Sequence, residues 1–164
     1  MATPQAVRRI GRLVAKSNIA VVKELADINA QPSPVYTAGP KSDSDILNWE
    51  VSITGPEGTP YQGGTFKLAL TLPPTYPFHP PTLSFVTKIY HPNVLPDGMV
   101  CIPLLKTDQW KPACKLVTVI DIAVGLLKEP DEDQAIEGEA ADIYKVDRKK
   151  YEKTAKEWTK KYAN

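Results

Sequence analysis

Leu47-Asn-Trp-Glu-Val-Ser-Ile-Thr54 is followed by Thr65-Phe-Lys-Leu-Ala-Leu-Thr-Leu72 and then by Thr82-Leu-Ser-Phe-Val86. All three have strand character, and tight turns at Gly55-Pro-Glu-Gly58 and Gln62-Gly-Gly64 separate the first two, as in an antiparallel meander. A shorter strand is expected just upstream, at Val35–Ala38. Further upstream, Val7, Ile10, Leu13 and Val14 lie at helical spacing, as do Val21, Val22, Leu25 and Ile28. Residues 5–30 therefore read as one helix or two, with a break near Ser17–Asn18, ended by Gln31-Pro-Ser-Pro34. Downstream, Leu116–Leu127 is strongly apolar and reads as a buried helix. The final stretch starts from an N-cap at Asp147 and sets Tyr151, Ala155, Trp158 and Tyr162 on one face, with lysines on the other. Helix, four-stranded antiparallel meander, loop region, then helices is an α+β order in one domain.

Proline is the compositional outlier. Of 16 prolines, nine fall at Pro73, Pro74, Pro77, Pro80, Pro81, Pro92, Pro96, Pro103 and Pro112. Each removes a donor and fixes φ, which excludes a long helix or central strand there. Enough Tyr, Phe, Leu and Ile are interspersed to exclude disorder. A rigid, packed loop region in mid-domain is expected.

Globally, 164 residues with 42% apolar and 24% charged side chains fit one soluble globular domain able to bury its own core. A formal charge of +1 gives no sign of nucleic-acid or membrane partners, and no apolar run approaches the roughly 20 residues of a spanning helix. The opening MATPQAVRRIGRLVAK has no uninterrupted apolar core before a small-residue cleavage site, so a signal peptide is not expected. Two cysteines, Cys101 and Cys114, are too few for a disulfide framework, which points to a reducing cytoplasmic or nuclear setting.

Chemistry concentrates in His91-Pro-Asn-Val-Leu-Pro-Asp-Gly-Met-Val-Cys101, followed by Ile-Pro-Leu-Leu and by Trp110-Lys-Pro-Ala113. A cysteine in a proline-framed loop with His and Asn upstream has the surroundings of a nucleophile, although free cysteines are more often small buried hydrophobes. His79, His91, Cys101 and Cys114 share the region, but none of their spacings is that of a zinc-ligand pair, and no metal is expected.

His91-Pro92-Asn93 with a cysteine eight residues after the Asn resembles the signature of the ubiquitin-conjugating enzymes. The same pattern continues in Gly55-Pro56, Pro60-Tyr-Gln-Gly-Gly64, Tyr76-Pro-Phe-His-Pro-Pro81, Trp110-Lys-Pro-Ala113 and the closing Trp158–Tyr162. The ordered series is far more specific than any one motif. The resemblance implies the UBC fold, with residues 17–164 as the catalytic core and residues 1–16 as a helical N-terminal extension. It implies a monomer that takes ubiquitin or a ubiquitin-like protein from an activating enzyme as a thioester on Cys101. ATP is spent by the activating enzyme, and this chain needs no cofactor.

In that family Asn93 offers its amide to the developing oxyanion, or else hydrogen-bonds the loop backbone. His91 and Pro92 hold the loop, so His91 is not expected to move protons. Pro77, Phe78, Lys111, Pro112 and Ala113 match positions that dock RING or HECT ligases, including the RING-between-RING type. Arg8, Arg9, Arg12, Lys16 and Lys23 precede or flank the first acid, Glu24, and match a helix that meets an acidic groove of the activating enzyme. Such a charge run is otherwise an ordinary solvated face. Cys114 stands where the family often has Thr or an apolar residue, so packing is its default role.

Several positions depart from the family pattern. Members that pass ubiquitin directly to lysine often carry Asp two residues after the cysteine, where this chain has Pro103, and Asp or Ser at the start of the acidic loop, where it has Gln134 with Asp133 adjacent. These groups help strip the proton from an incoming ammonium. Cys-Ile-Pro and the count to Trp110 resemble instead the branch that hands ubiquitin to ligase cysteines, whereas Tyr144–Tyr162 is similar to the lysine-active branch. Asp121 falls where that branch has an apolar residue facing donor ubiquitin. Service to another ubiquitin-like modifier, or a non-catalytic ubiquitin-binding scaffold, are the alternative readings; retention of Cys101 within the full motif argues against the scaffold.

Overall fold

The computed structural model of the chain describes Gln5, residues 19–136 and residues 138–164. Residues 19–30 form helix α1. Val21 and Ile28, one heptad apart, are buried, with Leu25 partly so, while Val22 is exposed. At 100° per residue Val22 falls a quarter-turn off this narrow stripe, so the wider apolar face expected from the sequence is corrected here. Of the candidate basic residues, Lys23 is exposed on α1, and Arg8, Arg9, Arg12 and Lys16 lie outside the described residues.

Four strands follow: β1 (Tyr36–Ser42), β2 (Asp45–Thr54), β3 (Thr65–Thr71) and β4 (Thr82–Phe85). They pair antiparallel in the order β1-β2-β3-β4. Trp49, Val51 and Ile53 alternate with the less buried Glu50 and Ser52, and Phe66, Leu68 and Leu70 alternate with Lys67 and Ala69. One face is therefore core and the other meets solvent. β1 runs four residues past the expected Ala38, through Gly39 and Pro40, with a register shift before Ser42. An edge strand tolerates proline because one side of its backbone needs no partner.

The core face is completed by α2 (Leu116–Lys128), which buries Leu116, Val119, Ile120, Ala123, Val124 and Leu127. A short α3 (Glu139–Val146) leads into α4 (Arg148–Tyr162), whose N-cap Asp147 accepts the Lys150 N–H at 3.1 Å. Tyr151 and Ala155 are buried, and Trp158 and Tyr162 are half-buried. The end of α4 is stitched to the sheet, since Thr65 N–H donates to the Ala163 carbonyl at 2.9 Å. Gly64 permits this approach; a Cβ there would sit 2.7 Å from the Thr159 methyl.

Between β4 and α2 the proline-rich region has a single 3-10 turn, Pro103–Leu105, and isolated bridges, yet Tyr76, Ile102 and Trp110 in and around it are buried. Polar side-chain hydrogens find carbonyls or carboxylates. Trp110 Nε1–H donates to the Pro77 carbonyl at 2.7 Å. Tyr76 donates its hydroxyl to one oxygen of Glu24 on α1, and the other oxygen accepts the Leu116 N–H at 2.7 Å. Lys115, at the N-cap of α2, supplies no side-chain cap. A carboxylate from a different helix thus satisfies an N-terminal amide of α2 and faces the positive end of its dipole.

Candidate active site

Asn93 to Cys101 form a tight hairpin. Gly98 N–H donates to the Leu95 carbonyl at 2.8 Å and Leu95 N–H to the Met99 carbonyl at 2.9 Å, which closes a three-residue loop. Asp97 accepts the Met99 N–H at 3.0 Å. Gly98 has φ +93°, and a Cβ on it would stand 2.1 Å from the Phe85 carbonyl oxygen, so only glycine fits. Val94 bridges Val100, and Cys101 N–H donates to the Asn93 carbonyl at 3.0 Å. Phe85 N–H in turn donates to the Gly98 carbonyl at 2.8 Å, which fastens the hairpin to the last residue of β4. Cys101 emerges from this frame half-exposed and unpaired. The Cys101 backbone is thereby fixed while the residue keeps part of its surface in solvent.

His91 is 2% exposed. Its Nε2–H donates to the Leu126 carbonyl at 2.6 Å, and its Nδ1 accepts the Asn93 N–H at 3.0 Å. Both ring nitrogens are committed, which defines the tautomer. Burial pushes its pKa down to about 4, against a smaller opposing effect from the Leu126 carbonyl. The imidazole is accordingly neutral at pH 7 and its acceptor lone pair is occupied. It braces the hairpin against α2.

Asn93 is fully buried. Its Nδ2–H donates to the Asp131 carbonyl at 2.7 Å, and its Oδ1 accepts the Asp131 N–H at 2.9 Å. Ile136 N–H donates to the Pro92 carbonyl at 3.0 Å. The His91–Asn93 segment is thus tied across 38 residues to the acidic loop. Within that loop Asp131 caps the 3-10 turn Glu132–Gln134 by accepting the Asp133 N–H at 3.0 Å. Asp133 is exposed and Gln134 half-buried. Glu129, Asp131, Glu132, Asp133, Glu139 and Asp142 all face solvent, and Arg148 Nη2 meets Glu132 at 3.5 Å.

The remaining candidate residues form two groups. Pro103 is exposed at the start of its 3-10 turn, two residues beyond Cys101. Phe78 is 43% exposed, Pro77 half-buried, and Lys111, Pro112 and Ala113 exposed; the Trp110 indole bonded to Pro77 joins the two short segments into one surface. Asp121 is exposed on α2, and Cys114 is half-buried against the core.

Sequence reading did not single out Glu24, Asp97 or Asp131. Asp97 has a local signal, an acidic residue immediately before the turn glycine. Glu24 and Asp131 act through contacts 92 and 38 residues away in the chain, which leave no local trace. Among the described residues no three His, Cys, Asp or Glu side chains converge as a metal-binding set. No helix among them is long and apolar enough to cross a membrane. The model of the family described as ubiquitin-conjugating enzyme matches residues 20–159, most of the chain.

Proposed function

The chain belongs to the ubiquitin-conjugating enzyme family, and from that membership we propose that it carries ubiquitin as a thioester on Cys101. The Cys101 thiolate attacks the carbonyl carbon of ubiquitin's terminal thioester on the activating enzyme, whose own thiolate leaves. A ligase cysteine or a substrate lysine then attacks the new thioester, and the Cys101 thiolate leaves in turn. The observation that carries this reading is the half-exposed Cys101 on a hairpin whose backbone is bonded to Asn93 and buttressed by a neutral His91.

His91 acts by position, not by proton transfer, since its acceptor nitrogen is already bonded. Asn93 holds the acidic loop in the resting protein and, on turning its amide from Asp131, presents Nδ2–H to the oxyanion formed as the acceptor attacks. Pro103 and Gln134 place no carboxylate beside an incoming amine. That favours a thiol acceptor, whose pKa of about 8.5 leaves a few per cent as thiolate at neutral pH, over an ammonium with pKa about 10.4. Phe78 with Lys111, Pro112 and Ala113 forms the ligase-docking surface, and Lys23 contributes to that for the activating enzyme.

Incubation with activating enzyme, ATP and a panel of modifiers, followed by non-reducing electrophoresis, tests the reading. A thiol-sensitive adduct with ubiquitin is expected, replaced in Cys101→Ser by a slower, thiol-resistant oxyester and absent from Cys101→Ala. An adduct that survives Cys101→Ala and disappears with Cys114→Ala would show that the nucleophile is the other cysteine. Charging by a different modifier alone would reassign the cargo.

A further inference from the structure

Tyr61 and Tyr151 stand 90 residues apart in the chain and meet through their hydroxyls at 2.5 Å in the interior. Both side chains are buried. Tyr61 Oη–H donates to the Tyr90 carbonyl at 2.7 Å, and a carbonyl has no proton to give back. With its single hydrogen committed there, Tyr61 must accept from Tyr151. The direction of the chain of bonds is thus set, from Tyr151 to Tyr61 to the Tyr90 carbonyl. Burial raises both phenol pKa values, so both hydroxyls keep their protons at neutral pH.

The loop between β2 and β3 closes tightly around Tyr61. Gly64 N–H donates to the Tyr61 carbonyl at 3.1 Å, and a Cβ on Gly55 would stand 1.7 Å from that same oxygen. The Tyr61 ring meets Phe66 edge-on at 5.8 Å and the His91 imidazole at 5.7 Å. The chain of bonds ends on the residue before His91. A carbonyl oxygen and the next amide share one plane, so pinning the Tyr90 oxygen orients the Tyr90–His91 peptide. Beyond it, His91 is bonded to Leu126 and to the Asn93 N–H, and Pro92 has a fixed φ. Few free torsions remain between the pinned oxygen and Asn93.

We propose that Tyr61 is a positioning residue for ubiquitin transfer, with Tyr151 as the group that aims its hydroxyl: the pair fixes the Tyr90–His91 peptide, and through it the place from which Asn93 presents Nδ2–H to the oxyanion. This deepens the function proposed above and rests on it. The chemistry is unchanged, with the acceptor thiolate attacking the thioester carbon and the Cys101 thiolate leaving. The pair governs how accurately the amide is placed, and small misplacements at a reacting centre cost large factors in rate.

Ubiquitin-charged protein is purified and its single-turnover discharge to free cysteine is followed. Tyr61→Phe keeps the ring and deletes the donor to Tyr90, and should slow discharge about tenfold. Tyr151→Phe leaves that donor in place but unaimed, and should slow it about threefold. The two together should be no slower than Tyr61→Phe alone, since they act through one bond. Tyr144→Phe is the control: its ring packs on Tyr151 at 4.9 Å, but among the described residues its hydroxyl joins none of these bonds, and the rate should not change. In an Asn93→Ala background Tyr61→Phe should have no further effect, which a general loosening of the core would not reproduce.

A second measurement needs no thioester. In the uncharged protein the Asn93 side-chain amide, bonded to Asp131, should exchange with solvent about tenfold faster in Tyr61→Phe and at an unchanged rate in Tyr144→Phe. Failure of the unmodified protein to charge would refute the functional reading, and the amide would still judge the positioning. Should Tyr61→Phe not fold, Tyr151→Phe with the same two readouts decides. Undiminished discharge in Tyr61→Phe, equal slowing by it with and without Asn93, equal slowing by Tyr144→Phe, or an unchanged Asn93 amide would each overturn the inference.

Discussion

Asn93 and Asp131 are joined through both ends of one primary amide: Nδ2–H donates to the Asp131 carbonyl at 2.7 Å while Oδ1 accepts the Asp131 N–H at 2.9 Å. The pairing mimics a strand ladder between two segments that are otherwise irregular, and it sets the acidic loop against the cysteine hairpin. Asn93→Ala removes two part-buried hydrogen bonds to the Asp131 backbone, each worth about 1 kcal/mol net. Equilibrium urea denaturation should show a loss of about 2 kcal/mol with an unchanged m-value. A variant as stable as the unmodified protein would mean that the amide contributes nothing to holding this loop.

His91 makes stability depend on pH. Its folded-state pKa is depressed to about 4 from an ordinary 6.5, so between these values the unfolded chain binds the proton and the folded one does not. Its contribution is complete above pH 6.5, is lost progressively as pH falls toward 4, and is constant below that. The full swing is roughly 3 kcal/mol, since each tenfold loss of proton affinity on folding corresponds to about 1.4 kcal/mol. Carboxylates titrate in the same window, so the measurement is the difference between the unmodified protein and His91→Gln in urea midpoints from about pH 7 to 4. That difference should shrink as the pH falls; a constant difference would show that the imidazole is charged or exposed.

Phe78 carries almost half of its surface in water, so truncation should leave the fold intact. Phe78→Ala is expected to shift stability by no more than about 0.5 kcal/mol and to weaken ligase-stimulated discharge by about 2 kcal/mol, the usual loss for an aromatic anchor. A markedly lowered melting temperature with ligase response preserved would place the ring in the core.

Charged protein should discharge readily to free cysteine and slowly to free lysine. Pro103→Asp with Gln134→Asp introduces carboxylates two residues after Cys101 and on the acidic loop, and general-base assistance is worth about 10²–10⁴ in rate. An increase of about tenfold or more in lysine discharge is expected, with little change for cysteine, whose thiolate needs less help. Lysine discharge by the unmodified protein as rapid as its cysteine discharge would refute the acceptor assignment.

The sheet was readable because Trp49, Val51 and Ile53 keep period two against Glu50 and Ser52, a local property. β1 was read short, since Gly39 and Pro40 have poor strand propensity and extend only because β2 is there to pair with them. The cysteine hairpin could be located from its proline frame and motif, but not its anchorage: Asn93 to Asp131, His91 to Leu126 and Glu24 to Leu116 are long-range hydrogen bonds. Val22 shows the converse error, an apolar residue assigned to a helix face that the real stripe is too narrow to include.

The carboxylate of Glu24, held by a tyrosine hydroxyl and by the first amide of α2, has a consequence for how the molecule breathes. Leu116 N–H lacks an intrahelical acceptor by position, so its protection from deuterium exchange depends on α1 being in place. Opening of the first helix is then recorded at the start of a helix 92 residues away. Exchange at Leu116 should follow the opening rate of α1, and Glu24→Ala should uncouple the two, leaving Leu116 fast while the middle of α2 stays slow.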